Sequence, residues 1–156
     1  MYKCANFSIE ELISKNLFNK IKAMGLSPEY AWRLFSPDAL KLIDKIRDYY
    51  DTKIFINTWK WDGELNYCGY REDGCPIGTW TSMHRRGCAF DLHFDNVDTW
   101  YKFKDDKLGA YDAIRQDMLR HKDALFPELT GLEANDGIAR IHVEGGTNRR
   151  MILFEG

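Results

Sequence analysis

The sequence predicts an α+β domain in which N-terminal helices pack on a small antiparallel sheet. Three observations lead there. Apolar residues recur at helical spacing, behind capping serines, through about the first fifty positions. After Asp51 the apolar runs become short, β-branched and aromatic. Near the end, Asp136-Gly137 separates two such runs, a strong two-residue hairpin signal.

Taken in order, Ser8 and Glu11 make a capping box, and Ile9, Leu12, Ile13, Leu17, Ile21 and Met24 follow on one helical face until Gly25 stops the helix. Ser27-Pro28 and Ser36-Pro37 each put a capping serine before a proline at the first helical position. The second of these helices carries Leu40, Ile43, Ile46 and Tyr50 on one face; Lys41, Asp44, Lys45 and Asp48 form a solvated face. Residues 53–57 read as a strand. Residues 59–81 form a long stretch rich in Gly, Asp, Trp and Tyr without a sustained period, and loops of this length are often functional. Residues 88–94 are a second strand. A helix over 108–125 buries Tyr111, Ile114, Met118 and Leu125, and Pro127 closes it. Strands at 129–134, 138–144 and 150–154 complete the sheet. With no repeat, linker or low-complexity segment, residues 1–156 read as one domain, helical over about 8–50 and sheet-bearing over about 51–156, where the candidate metal site lies.

Composition narrows the function. A chain of 156 residues with 44% apolar and 14% aromatic content buries a full core, which excludes intrinsic disorder. Twenty-two basic against twenty-four acidic residues leave a net charge of −2, without the basic excess of a nucleic-acid binder. No apolar run approaches the ~18 residues of a membrane span. The first residues lack the apolar core of a signal peptide, so the expectation is a soluble protein synthesised in the cytoplasm. A monomer is expected. The four cysteines form no CxxC pair and are expected as free thiols, with Cys88 a small core residue. Cys68 and Cys75 are the two that would pair across the loop if the protein is released from the cell.

The chemistry concentrates in Ser82-Met83-His84-Arg85-Arg86-Gly87-Cys88-Ala89-Phe90-Asp91. Imidazole and carboxylate are both normal zinc ligands, and Gly87 lets the backbone turn so that His84 and Asp91 converge. A third ligand is needed, and His93, His121 and His142 remain. His121 reads as a partly exposed helical residue. His142 sits in an apolar strand, where a lone histidine needs a reason. His93 shares the strand face of Asp91 and reads as a supporting residue. Trp59, Trp61, Tyr67, Tyr70 and Trp80 crowd the loop, either lining a groove or packing beneath it. Arg85-Arg86 adjoins the first candidate ligand, either to attract an acidic substrate or, as is more common for such a pair, as solvated surface.

This segment resembles the SxHxxGxAxD pattern of the zinc D-Ala-D-Ala carboxypeptidases, matching it at Ser82, His84, Gly87, Ala89 and Asp91. That family includes the VanY-type peptidases and the phage L-alanyl-D-glutamate endopeptidases (endolysins), and is related to the hedgehog fold. Gly69-Tyr70-Arg71 is similar to the family's GYR element, and 126–129 with 137–143 is similar to the segment carrying its last ligand. The resemblance covers roughly residues 50 to 145. It implies a hedgehog/DD-peptidase-like fold and a Zn2+ ion held by His84, Asp91 and His142, with water in the open fourth position of a catalytic site. It also implies that Arg71 holds substrate and stabilises developing negative charge. The expected activity is hydrolysis of peptidoglycan stem peptides at the cell wall, after phage- or holin-type release.

The chain departs from the family at the general base. Where many members have Glu or Asp three residues before the last histidine, this chain has Ala139, and Arg140 stands where others carry a second histidine. A two-residue loop at Asp136-Gly137 sets Glu133 opposite Arg140, on the face shared with His142 and Glu144. Glu133 is therefore the first candidate base and Glu144 the second, with an ion pair to Arg140 as the competing role of Glu133. The alternative to a peptidase is a catalytically inactive zinc-binding module, structural or wall-binding, of phage type.

Overall fold

The helical first third is broken more often than its periodicity suggests. The computed structural model describes residues 1–79, 81–95, 106–134, 139–146 and 152–154. Helix α1 (Ile9–Leu12) opens on the expected capping box, with the Ser8 N–H donating to Glu11 at 2.8 Å. Ile13 then turns extended, and α2 (Lys15–Ala23) starts afresh from Ser14. The Ser14 hydroxyl accepts from the Leu17 N–H and donates to the buried Glu72 at 2.6 Å. The break frees the Ile13 carbonyl, which accepts from Asn57 Nδ2 at 2.9 Å and Trp59 Nε1 at 2.8 Å. Tertiary bonds thus override a continuous apolar face. Only Ile21 of α2 is buried, and Met24, expected on the apolar face, stands in solvent.

Residues Pro28–Leu34 form a 3-10 turn behind the Ser27 cap, and α3 (Pro37–Tyr50) buries Leu40, Ile43 and Ile46 as expected. Asp44 corrects the reading of the other face: it is 4% exposed, not solvated. Its carboxylate accepts from the Tyr2 hydroxyl and from the Ala5 and Asn6 N–H groups at 2.7–3.0 Å, drawing the N-terminal segment across α3. Beside it, burial and this carboxylate raise the pKa of the Cys4 thiol well above its ordinary value.

Five strands follow: β1 (Ile54–Phe55), β2 (Ala89–Phe94), β3 (Leu129–Glu133), β4 (Ile141–Gly145) and β5 (Ile152–Phe154). They lie in the order β1-β2-β4-β3-β5; the first four pair antiparallel, and β5 runs parallel to β3. β1 is shorter than expected because Asn57 is drawn away to α1, its N–H donating to the Glu11 carbonyl at 2.9 Å. The Asp136-Gly137 loop lies outside the described residues. The β3–β4 register pairs Leu132 with Val143, beyond an irregularity between Leu129 and Gly131. This is two residues from the pairing a two-residue loop would impose. A shift of two is a full pleat period, so Glu133 keeps the face of His142 while moving from opposite Arg140 to opposite His142.

α4 (Lys107–Arg120) buries Tyr111, Ile114 and Met118. It breaks at His121 before α5 (Lys122–Leu125), which leaves Leu125 partly exposed instead of buried. The sheet separates its two faces cleanly. Phe90, Leu92, Leu132, Ile141 and Val143 join the hydrophobic core with α1, α3 and α4. Asp91, His93, Glu133, His142 and Glu144 alternate with them and occupy the other face. The four cysteines are free thiols, and Cys88 is only half-buried, its Sγ against the Arg86 carbonyl, so it stays outside the core. Among the described residues no helix is long and apolar enough to cross a membrane.

Candidate metal centre

Two strand residues and one turn residue build the site. Asp91 on β2 and His142 on β4 are direct partners across the ladder, so their side chains emerge side by side on the polar face. His84 reaches the same point from the 3-10 turn Met83–Arg86, which Gly87 ends at φ +64. A Cβ at Gly87 would run into the Leu34 carbonyl, so this turn needs glycine for conformation and for space.

His84 Nε2 lies 3.2 Å from His142 Nδ1 and 3.4 Å from Asp91 Oδ1, and His142 Nδ1 is 2.8 Å from Asp91 Oδ1. Three donors on a tetrahedral ion with bonds of about 2.0–2.1 Å are separated by roughly 3.3 Å. The cluster therefore fits an ion with little rearrangement, and it is the group of such residues that gathers among the described ones. His84 Nδ1 is 2.8 Å from the Gly69 carbonyl. A carbonyl only accepts, so Nδ1 carries the proton and Nε2 presents its lone pair to the site. Gly69 was not singled out as a site residue, yet a side chain there would strike the Leu12 carbonyl.

Charge is arranged unevenly. Burial pulls the pKa of His84 below its ordinary value, against the opposing pull of Asp91. Burial acts in the same direction on His142, but hydrogen bonds to Asp91 and Glu144 outweigh it and hold that imidazole up to about 9. Burial also works against the charge of Asp91, yet the hydrogen bond from His142 Nδ1 at 2.8 Å keeps its carboxyl far below the usual range.

Around this cluster the other expected residues fall in distinct places. Arg71 is tied inside the protein: Nε donates to the Tyr67 carbonyl at 2.8 Å and Nη2 to Asp91 Oδ2 at 3.0 Å. Glu144 Oε1 lies 3.6 Å from His142 Nε2. Glu133 Oε2 lies 3.8 Å from Arg140 Nη2, so the expected ion pair is present, and its charge reaches His142. Ala139 packs against the hydrophobic core, on the apolar side of the strand. His93 faces the Cys68 sulfur at 3.6 Å, beside the His84–Asp91–His142 cluster and not within it. Burial and the neighbouring Asp91 push the Cys68 thiol up to about 12, which leaves it unreactive.

Of the loop aromatics, Trp59 packs on Phe18 and Tyr70 on Phe35, both structural, while Trp61 is half in solvent and Trp80 lies outside the described residues. His121 sits at the end of α4, 3.5 Å from Asp117. Arg85 is paired with Asp73 at 3.3 Å and is more covered than a solvated surface residue. Sequence reasoning missed Arg115, a buried arginine of α4 whose Nη2 donates to the Arg140 carbonyl at 2.6 Å. No protein-family model, no curated protein and no solved structure matches the chain.

Proposed function

We propose that this chain is a zinc peptidase acting on peptidoglycan stem peptides, of the D,D-carboxypeptidase or L-Ala-D-Glu endopeptidase type, on a hedgehog/DD-peptidase-like fold. The observation that carries the reading is the convergence of His84 Nε2, Asp91 Oδ1 and His142 Nδ1 within 2.8–3.4 Å, from the motif that resembles that family. Two imidazoles and one carboxylate are a donor set that zinc accepts with a position left open.

His84, Asp91 and His142 would hold the zinc, which would supply Lewis acidity, lowering the pKa of a water toward ~7 and polarising a scissile carbonyl. The chain's own residues do the rest. Gly69 fixes the His84 tautomer, and Arg71 fixes the ligand carboxylate from behind. Glu133, on the face of His142, takes a proton from the attacking water and returns it to the leaving amine. Glu144 orients the His142 ring through Nε2. The site of action proposed is the cell wall, reached by release from the cell, with the protein a monomer.

One observation favours a second reading. The family's base position is the core-packed Ala139, and Glu133 already faces Arg140. A non-catalytic zinc-binding module would have this appearance. Elemental analysis should return one zinc per chain, lost in His142→Ala; iron in its place would make the same donor set an oxygenase-type site. On purified peptidoglycan, Glu133→Gln should keep zinc and lose ~10²-fold or more in turnover, the scale of general-base catalysis. A Glu144→Gln variant with that loss, beside an active Glu133→Gln, would reverse the two roles. A zinc-loaded parent that releases no muropeptide would leave the binding module as the answer.

A further inference from the structure

We propose that Arg140 is a positioning residue that holds the Glu133 carboxylate beside the His84–Asp91–His142 cluster while Arg115 fixes its backbone. The inference deepens the hydrolytic reading and rests on it. Arg140 lies just before β4, with Nη2 3.8 Å from Glu133 Oε2 and Nε 3.8 Å from Asp91 Oδ1. Its guanidinium thus stands between the candidate base and a candidate ligand.

The need for such a cation follows from the sheet. Asp91, Glu133 and Glu144 are each 7% exposed or less, and the strand alternation collects them on one face. Carboxylates gathered away from water repel one another strongly. A guanidinium stays charged at every working pH, and its planar fork can address two carboxylates at once. A glutamate has three rotatable side-chain bonds, so without a partner it does not keep the geometry a general base requires.

Arg115 secures the backbone from which Arg140 extends. Burying a guanidinium is costly, and hydrogen bonds offset that cost. Arg115 is 2% exposed, and it reaches from α4 to the carbonyl of Arg140, two residues ahead of His142. The backbone that launches the Arg140 side chain is therefore anchored to the helical layer. The chain from Arg115 through Arg140 to Glu133 links the core-side helix to the polar face of the sheet.

A double-mutant cycle tests this with Arg140→Gln, Glu133→Gln, the double variant and the parent, each measured in two ways. The first is thermal unfolding of the metal-free protein. If Arg140 holds Glu133, the losses of the two single variants do not add in the double variant. Arg140→Lys, which keeps the charge, recovers part of the loss. The second is turnover of purified peptidoglycan by the zinc-loaded proteins. Arg140→Gln should lower kcat by about tenfold or more with KM and zinc content held, and should cost nothing further once Glu133 is Gln. Additive unfolding losses overturn the proposal. A rise in KM alone also overturns it and assigns Arg140 to the substrate. Should the parent prove inert on peptidoglycan, the hydrolytic reading falls, and the unfolding cycle still decides whether Arg140 holds Glu133.

Discussion

Asp91 turns Oδ1 to the two imidazoles and Oδ2 to Arg71, so removing the guanidinium releases one side of the ligand carboxylate. Residues that orient ligands in this way typically contribute 10–100-fold to metal affinity. Arg71→Ala should therefore weaken zinc binding by about that factor, as read by competition with a chelating indicator, and activity should fall with occupancy. If zinc affinity is unchanged while turnover collapses, Arg71 acts on the substrate, as the family resemblance implies. Of the candidate ligands, His84 and Asp91 were legible because they stand with Gly87 in one short segment, and His142 because a lone histidine in an apolar strand needs a reason. Gly69 and Arg115 were not, because a backbone carbonyl and a helix residue carry no local sign of the strand or ring they touch. Asp44 misled for a similar reason: its helical position is ordinary, and only the N-terminal donors that fold back on it make it a buried anchor.

The turn ahead of β2 is the element on which the site depends most. It brings His84 back over the strand that carries Asp91, and its last residue, Gly87, has φ +64 against the Leu34 carbonyl. Its own carbonyl accepts from the Ser36 N–H at 2.9 Å, which ties the turn to the start of α3. Gly87→Ala carries roughly 1–2 kcal/mol of left-handed strain before the steric clash is counted. Its unfolding midpoint should fall, and zinc should bind more weakly because His84 is displaced. An unchanged midpoint together with full zinc affinity would show that the turn is not the positioning device. Capping serines and β-branched runs disclosed most elements, since those signals are local. The break at Ile13 and the shortening of β1 come from tertiary bonds, and the β3–β4 register from the pairing of two strands, none of which a single strand pattern encodes.

On the scale of the whole molecule, the sheet is a partition. One face closes the hydrophobic core with the helices, and the other gathers the ionisable groups. An ion bound to that polar face stabilises the folded chain alone. At a hundred times its Kd the gain is about 2.7 kcal/mol, or roughly 5–10 °C in Tm for a domain of this size. Adding a strong chelator to the zinc-loaded protein should reverse that shift in differential scanning fluorimetry. His142→Ala should show no response to the chelator, and a parent that also shows none binds no ion at the site.

The ladder pairing of Asp91 with His142 also sets an order of events. His84 and Asp91 are near neighbours in the chain, but His142 arrives only when β4 docks against β2, a contact of high sequence separation and therefore slow to form. A nascent or truncated chain ending before β4 offers two donors and holds an ion poorly. An ion held by these three residues would thus be captured late in folding, and a chain that had acquired it would already have closed its sheet.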